Sequence, residues 1–274
     1  MSLAPEPSVP EPTPDPAAPW PAWTAPTALV GAFVSANVIG VLIFAISGGD
    51  PSNPPAAANI AATLVLDACL VGTALVFARL GGRLTPARFG LRLTPLGRAI
   101  GLMVLAYVSF TVFLYAWVSA LDIHQKQKIL HDLGADRSQI AFAATAVLVT
   151  VVAPICEELF FRGFFFTALR GWMGLWPAAA VTGLCFGAVH AGGSPIGYLV
   201  PLAVFGFVLC VLYVRTGSLL PCMALHAINN SLALGSSKGW GWQIPLLMFG
   251  AIAVIMAIMV PIALRDRTPR LRAA

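Results

Sequence analysis

Charge is what this chain has least of. Lysine, arginine, aspartate and glutamate make up 10% of its 274 residues, against roughly 25% in an average soluble domain. That scarcity excludes an ordinary water-soluble globule. A basic n-region ahead of an apolar core is also missing at the N-terminus, so no secretory signal peptide is expected there. No H-E-x-x-H occurs, which excludes a standard zincin helix. The five cysteines (Cys69, Cys156, Cys185, Cys210, Cys222) all fall within apolar stretches and form no C-x-x-C pair. They read as small buried residues rather than disulfides or thiolate ligands. No internal repeat suggests a transporter built of inverted halves. What the chain does have is apolar length. Hydrophobic residues make up 58% of it, in several runs that exceed the roughly 20 residues needed to cross a hydrocarbon core.

The expected fold is therefore all-α, a polytopic transmembrane helical bundle of about eight spans near 26–47, 57–79, 98–121, 139–169, 174–191, 196–215, 218–235 and 243–264. Four regions follow. Residues 1–25, rich in Pro, Ala and acidic side chains, read as a disordered tail, with Trp20 and Trp23 marking the membrane interface. Residues 26–138 hold the first helices and a basic segment, "RLGGRLTPARFGLRLTPLGR", expected to lie along the surface where its arginines meet anionic lipid. Residues 139–236 hold the polar motifs, and 237–274 the last span and a basic tail. Basic residues alternate in number from side to side. Arg79, Arg83, Arg88, Arg92, Arg98, Arg170, Arg215 and the C-terminal arginines share one side, against Lys126, Lys128, Arg137 and Lys238 on the other. This asymmetry predicts a multi-pass protein of the cell membrane with both termini in the cytoplasm.

A charged side chain at bilayer depth costs at least a few kcal/mol, about 2.5–3.5 on the mildest insertion scale. The fourth span, "VVAPICEELFFRGFFF", nevertheless carries Glu157, Glu158 and Arg162. Residues four apart stack on one helical face, so Glu158 and Arg162 are neighbours with the acid N-terminal to the base, the better orientation. The structural reading of that pair is an ion pair that fixes packing. Glu157 points about 100° away without that partner, and is the carboxylate left for chemistry. Pro154, three residues upstream, predicts a kink or local opening of the helix. Gly163 allows a neighbouring helix to come close.

In "CFGAVH", Phe186 and His190 are four apart and share a face, as do His226 and Asn230 in "LHAINN", with Asn229 turned away. An imidazole with an amide supplies two hydrogen-bond donors, as an oxyanion site requires. Counted along their helices, Glu157, His190, His226 and Asn230 fall at comparable depth, so a shared polar cavity is expected. His124 and His131, in a charged loop, are expected to be solvated. Asp67, mid-way along the second span, stands apart. A packing role is the simpler reading for it, and nothing in the sequence names its partner.

Glu157-Glu158-x-x-x-Arg162, Phe186-x-x-x-His190 and His226-x-x-x-Asn230 occur in that order within about residues 140–235, and this set resembles the CPBP intramembrane proteases, which include the CAAX prenyl endoproteases. The resemblance implies that Glu157 is the general base and that His190 helps it activate a water. It implies that His226 and Asn230 stabilise the oxyanion, that Glu158 and Arg162 support the site, and that Phe186 positions His190. The implied substrate is a peptide or membrane-anchored protein reached from the cytoplasm or from lipid, with no nucleic acid involved. Glu157, His190 and His226 could equally form a His₂Glu set for a divalent metal such as zinc, and both the metal and metal-free forms remain open on the sequence. So do a non-proteolytic partner protein of the same fold (for immunity, maturation or export) and a small transporter, whose proton path would also use buried acids and histidines.

Overall fold

The computed structural model describes residues 20–48, 54–123, 133 and 138–265. Over these the chain forms helices at all eight expected places: α1 (Thr24–Ser47), α2 (Ala56–Ala78), α3 (Leu96–Ala120), α4 (Gln139–Met173), α5 (Leu175–Val189), α6 (Ile196–Thr216), α7 (Leu220–Ser237) and α8 (Gln243–Arg265). The tail before Trp20, His124, His131, Lys126, Lys128, Arg137 and the last arginines lie outside the described residues. Among the described residues, six helices are long and apolar enough to cross a membrane, and α5 and α7 are not among them. α5 has 15 residues, or about 22 Å at helical rise, short of a core about 30 Å thick. α7 is interrupted by His226, Asn229 and Asn230. The chain is a multi-pass helical membrane protein in which α5 is the shortest of the eight helices and α7 the least apolar.

Lipid tails are as apolar as leucine, so helices in a membrane associate through close packing rather than through escape from water. The sequence supplies that packing in two ways. α1 turns Ala25, Ala28, Ala32 and Ala36 inward at helical spacing, and α2 packs along it. Between α5 and α6 the small residue is glycine. A Cβ on Gly183 would stand 2.5 Å from the Ala203 carbonyl oxygen, and one on Gly187 equally close to that of Leu199. The middle of the bundle is aromatic: Phe160, Phe161, Phe164, Phe166, Phe186 and Phe205 are all at most 1% exposed.

Trp20 departs from the interfacial position expected of it. It is 2% exposed, stacks on Phe164, tilts against Phe89, and donates its indole N–H to the Phe164 carbonyl at 3.1 Å. An indole finds both an apolar bed and a carbonyl here, so it packs into protein. Trp23, 56% exposed, keeps the outward position. In the basic segment, Arg88 donates to the carbonyls of Arg83 and Gly81, and Arg92 to that of Ala87. These two guanidinium groups staple the segment's own backbone instead of being left wholly to lipid.

α4 positions the site. Its 35 residues span about 52 Å, more than one crossing requires. Ser138 caps its start by accepting from the Ala141 N–H at 3.1 Å. Pro154 does not produce a simple kink. Two wide π-helical stretches, Leu148–Val152 and Leu159–Phe166, flank the short α-helical run Ala153–Glu158 that contains it. Proline lacks an N–H and crowds the preceding turn, and a wider turn relieves both problems.

Candidate active site

Glu157 and Glu158 are adjacent in sequence and lie in unlike surroundings. Glu158 is sealed from solvent. Its Oε1 accepts from Arg162 Nη1 at 2.9 Å, with both side chains fully buried. Arg162 also donates from Nη2 to the Gly206 carbonyl at 3.1 Å, and its guanidinium lies 4.5 Å from the centre of the Phe186 ring. The same Glu158 oxygen stands 2.8 Å from His226 Nδ1. The predicted Glu158–Arg162 pair is thus part of a buried triad that ties α4 to α7.

Glu157 faces a cavity of about 310 Å³ lined from α1, α2, α4, α5, α6 and α7, with His190, His226, Asn229 and Asn230 in its wall. Its Oε2 has no hydrogen-bond partner. That oxygen lies 4.0 Å from His190 Nε2 and 3.9 Å from His226 Nε2. Glu157, His190 and His226, predicted to meet at one depth, do meet.

The other nitrogen of each ring fixes its tautomer. His190 Nδ1 is 2.7 Å from the Phe186 carbonyl oxygen, which can only accept, so Nδ1 carries a hydrogen. Nε2 of the neutral ring is left as an acceptor toward Glu157. Phe186 therefore holds His190 through its backbone as well as through its ring, whose centre is 4.8 Å from the imidazole. His226 Nδ1 likewise donates to the Glu158 carboxylate. This assignment follows from hydrogen-bond geometry.

Asn230 lines the cavity, and one of its amide N–H groups is already used: Nδ2 donates to the Val149 carbonyl, in the first π-helical stretch, at 2.9 Å. Asn229, read from the sequence as turned away, also lines the cavity and donates to Asn230 Oδ1 at 3.4 Å. Asp67 was left without a partner by the sequence, and it too is in this wall. A larger groove of about 640 Å³ between α3, α7 and α8 is lined almost wholly by apolar side chains and contains none of the motif residues.

Residues 139–232 match the family model described as type II CAAX prenyl endopeptidase, Rce1-like. Through that segment, about a third of the chain, it is similar to the CAAX protease family. It is 30% identical over 138 residues to an uncharacterized 24.3 kDa protein of Escherichia coli. That alignment takes in 49% of this chain and 61% of the relative, less than two thirds of its length. No solved structure matches the chain. The matched segment begins at α4 and ends within α7, so it includes Glu157, Glu158, Arg162, Phe186, His190, His226 and Asn230 and leaves Asp67 outside.

The His₂Glu metal alternative can be judged on spacing. Two ligands each 2.0–2.1 Å from a tetrahedral ion lie about 3.3 Å apart. The carboxylate-to-imidazole separations of 3.9 and 4.0 Å are wider. Among the described residues no group of three His, Cys, Asp or Glu side chains is spaced to hold a metal ion. As arranged, the three side chains do not fit the ion.

Proposed function

We propose that this chain is a CAAX-type intramembrane endopeptidase of the cell membrane, both termini cytoplasmic, that hydrolyses a peptide bond in a peptide or membrane-anchored protein. The nucleophile is a water activated by Glu157. One observation carries the reading: the unpartnered Oε2 of Glu157 faces two imidazole Nε2 atoms at 3.9 and 4.0 Å inside a cavity of a membrane protein. These gaps are too long for direct hydrogen bonds and suit a bridging water. A water about 2.8 Å from both Glu157 Oε2 and His190 Nε2 would subtend roughly 90° at its oxygen, close to its own bond angle. Both partners accept, so its two hydrogens are taken and a lone pair remains for the substrate carbonyl carbon.

As the oxygen attacks, Glu157 takes the water's proton, and negative charge develops on the former carbonyl oxygen. The remaining N–H of Asn230 is one donor toward it, oriented because the other already holds the Val149 carbonyl. His226 can donate from Nε2 only when both ring nitrogens carry hydrogen. Glu158 against Nδ1 stabilises that cation, and Arg162 keeps Glu158 ionised and in place. Donors fixed in a dry site need no reorganisation at the moment of reaction, which is where such groups are most effective.

The test is cleavage of a mass-spectrometry-read peptide library, farnesylated C-terminal tails included, by purified protein in lipid nanodiscs. Wild type, Glu157→Gln and His190→Ala are compared, each with and without chelator. Turnover by wild type that disappears in both variants is the expected result. Turnover that survives in Glu157→Gln sinks the mechanism.

A further inference from the structure

Asp67 is the polar group that the family match does not cover. It sits on α2, is 4% exposed, and lines the same cavity as Glu157, His190 and His226. Its Oδ2 has no hydrogen-bond partner, and neither has Glu157 Oε2. The two imidazoles in that wall are engaged elsewhere through Nδ1, by Phe186 and Glu158. Arg162 is not among the residues lining this cavity, and its Nη atoms donate to Glu158 and the Gly206 carbonyl. An ionised Asp67 would therefore be a buried charge without a cation, with a second carboxylate facing the same small space. Burial of an uncompensated charge and like-charge repulsion both argue against two anions there. A proton on Asp67 removes both costs.

Peptide hydrolysis requires two opposite proton movements. Water must lose a proton, and the amine must gain one before it can leave. Two carboxyl groups held in different protonation states within one site meet both needs. We propose that Asp67 is the acid of this site, donating its proton to the nitrogen of the leaving amine. This assignment rests on the endopeptidase reading above.

The balance is as follows. Ionised Glu157 takes a proton from water, and the C–O bond forms to give the tetrahedral oxyanion. The C–N bond then breaks as Asp67 gives its proton to nitrogen, releasing an acid and a neutral amine and leaving Asp67 ionised. Transfer of the proton from Glu157 to Asp67, directly or through a water, restores the starting state. No oxidant or other co-reactant is needed.

The experiment compares two substrates with unequal need for that proton. One is a peptide ending in S-farnesyl-cysteine, two aliphatic residues and a terminal serine. The other is the p-nitrophenyl ester of N-acetyl-S-farnesyl-cysteine, whose phenolate leaves without protonation. Both are given to wild type, Asp67→Asn and Glu157→Gln in nanodiscs. Loss of a general acid slows a reaction about 10²–10⁴-fold. Asp67→Asn is expected to lose at least 100-fold on the peptide and less than 3-fold on the ester, while Glu157→Gln loses both. Ester turnover in the same sample also reports that the variant is folded. Unchanged peptide cleavage by Asp67→Asn, or equal loss on both substrates, would overturn the assignment. If Asp67→Asn does not fold, wild type alone decides, across anilides of rising amine basicity. Rates that change little support an acid at the leaving group, and a steep fall refutes one. Activity of Glu157→Gln would break the endopeptidase mechanism while leaving Asp67 to be judged by its own ratio. A wild type inactive on both substrates overturns both readings for prenylated tails.

Discussion

Glu158 and Glu157 are one residue apart, and their surroundings obey different rules. Around Glu158 the carboxylate, a guanidinium and an imidazole are sealed, two of them fully buried, under Phe186 and Phe205, whose rings each lie 5.7 Å from that of His226. Around Glu157 an oxygen is left unpartnered at the edge of a cavity. The first arrangement pairs its charges through Glu158 Oε1 and joins two helices, with Glu158 Oε2 and Arg162 Nε left without hydrogen-bond partners. The second leaves a carboxylate oxygen facing two imidazoles at longer range, free on the proposed mechanism to act on a water. Low-dielectric surroundings strengthen a paired charge and penalise an unpaired one, so neighbouring acids contribute differently.

The largest effect should come from Glu157→Gln, which on the proposed mechanism lowers turnover by about 10²–10⁴-fold while leaving the thermal midpoint of the detergent-solubilised protein unchanged. A midpoint that fell with activity would mean that Glu157 also holds structure. Arg162→Met tests the sealed side. Removing one partner of a buried ion pair costs about 3–5 kcal/mol, because Glu158 keeps only its contact with His226. Reversible unfolding should register that loss, and loss of activity without loss of stability would contradict the fastener role. Gly187→Val is next. Its side chain must displace the α6 backbone at the Leu199 carbonyl, and overpacking of this kind costs about 1–3 kcal/mol. His190 follows Gly187 by less than one turn, so activity should fall along with the unfolding midpoint. The smallest effect is expected from Asn229→Ala. It removes one long hydrogen bond to Asn230, worth about 0.5–1.5 kcal/mol, and should slow turnover several-fold without moving KM. A KM change without a kcat change would instead place Asn229 in substrate binding.

Local relationships were legible in the sequence and distant ones were not. The helical segments follow from apolar length, and the Glu158–Arg162 and Phe186–His190 contacts follow from a period of 3.6, because residues four apart have little choice but to meet. His226 with Glu158, Asn230 with Val149 and Trp20 with Phe164 join helices far apart in the chain, and no periodicity encodes such pairings. Pro154 signalled that the backbone opens, but not that it does so as two π-helical stretches, because a proline removes a bond without stating how its neighbours rearrange. Asp67 was visible as an anomaly. Its place in the cavity wall depends on how α2 packs against the later helices.

The cavity is assembled from α1, α2, α4, α5, α6 and α7, and its last polar contributors, Asn229 and Asn230, come late in the sequence, on α7. During synthesis, which runs from the N-terminus, α2 is made well before α7. Until α7 joins the bundle, Glu158 lacks His226 and Val149 lacks Asn230. A nascent chain in the insertion machinery therefore holds an unfinished site, and on the proposed chemistry it has no competent hydrolase with which to cut itself or its neighbours. On that chemistry, docking of α7 would act as the maturation step.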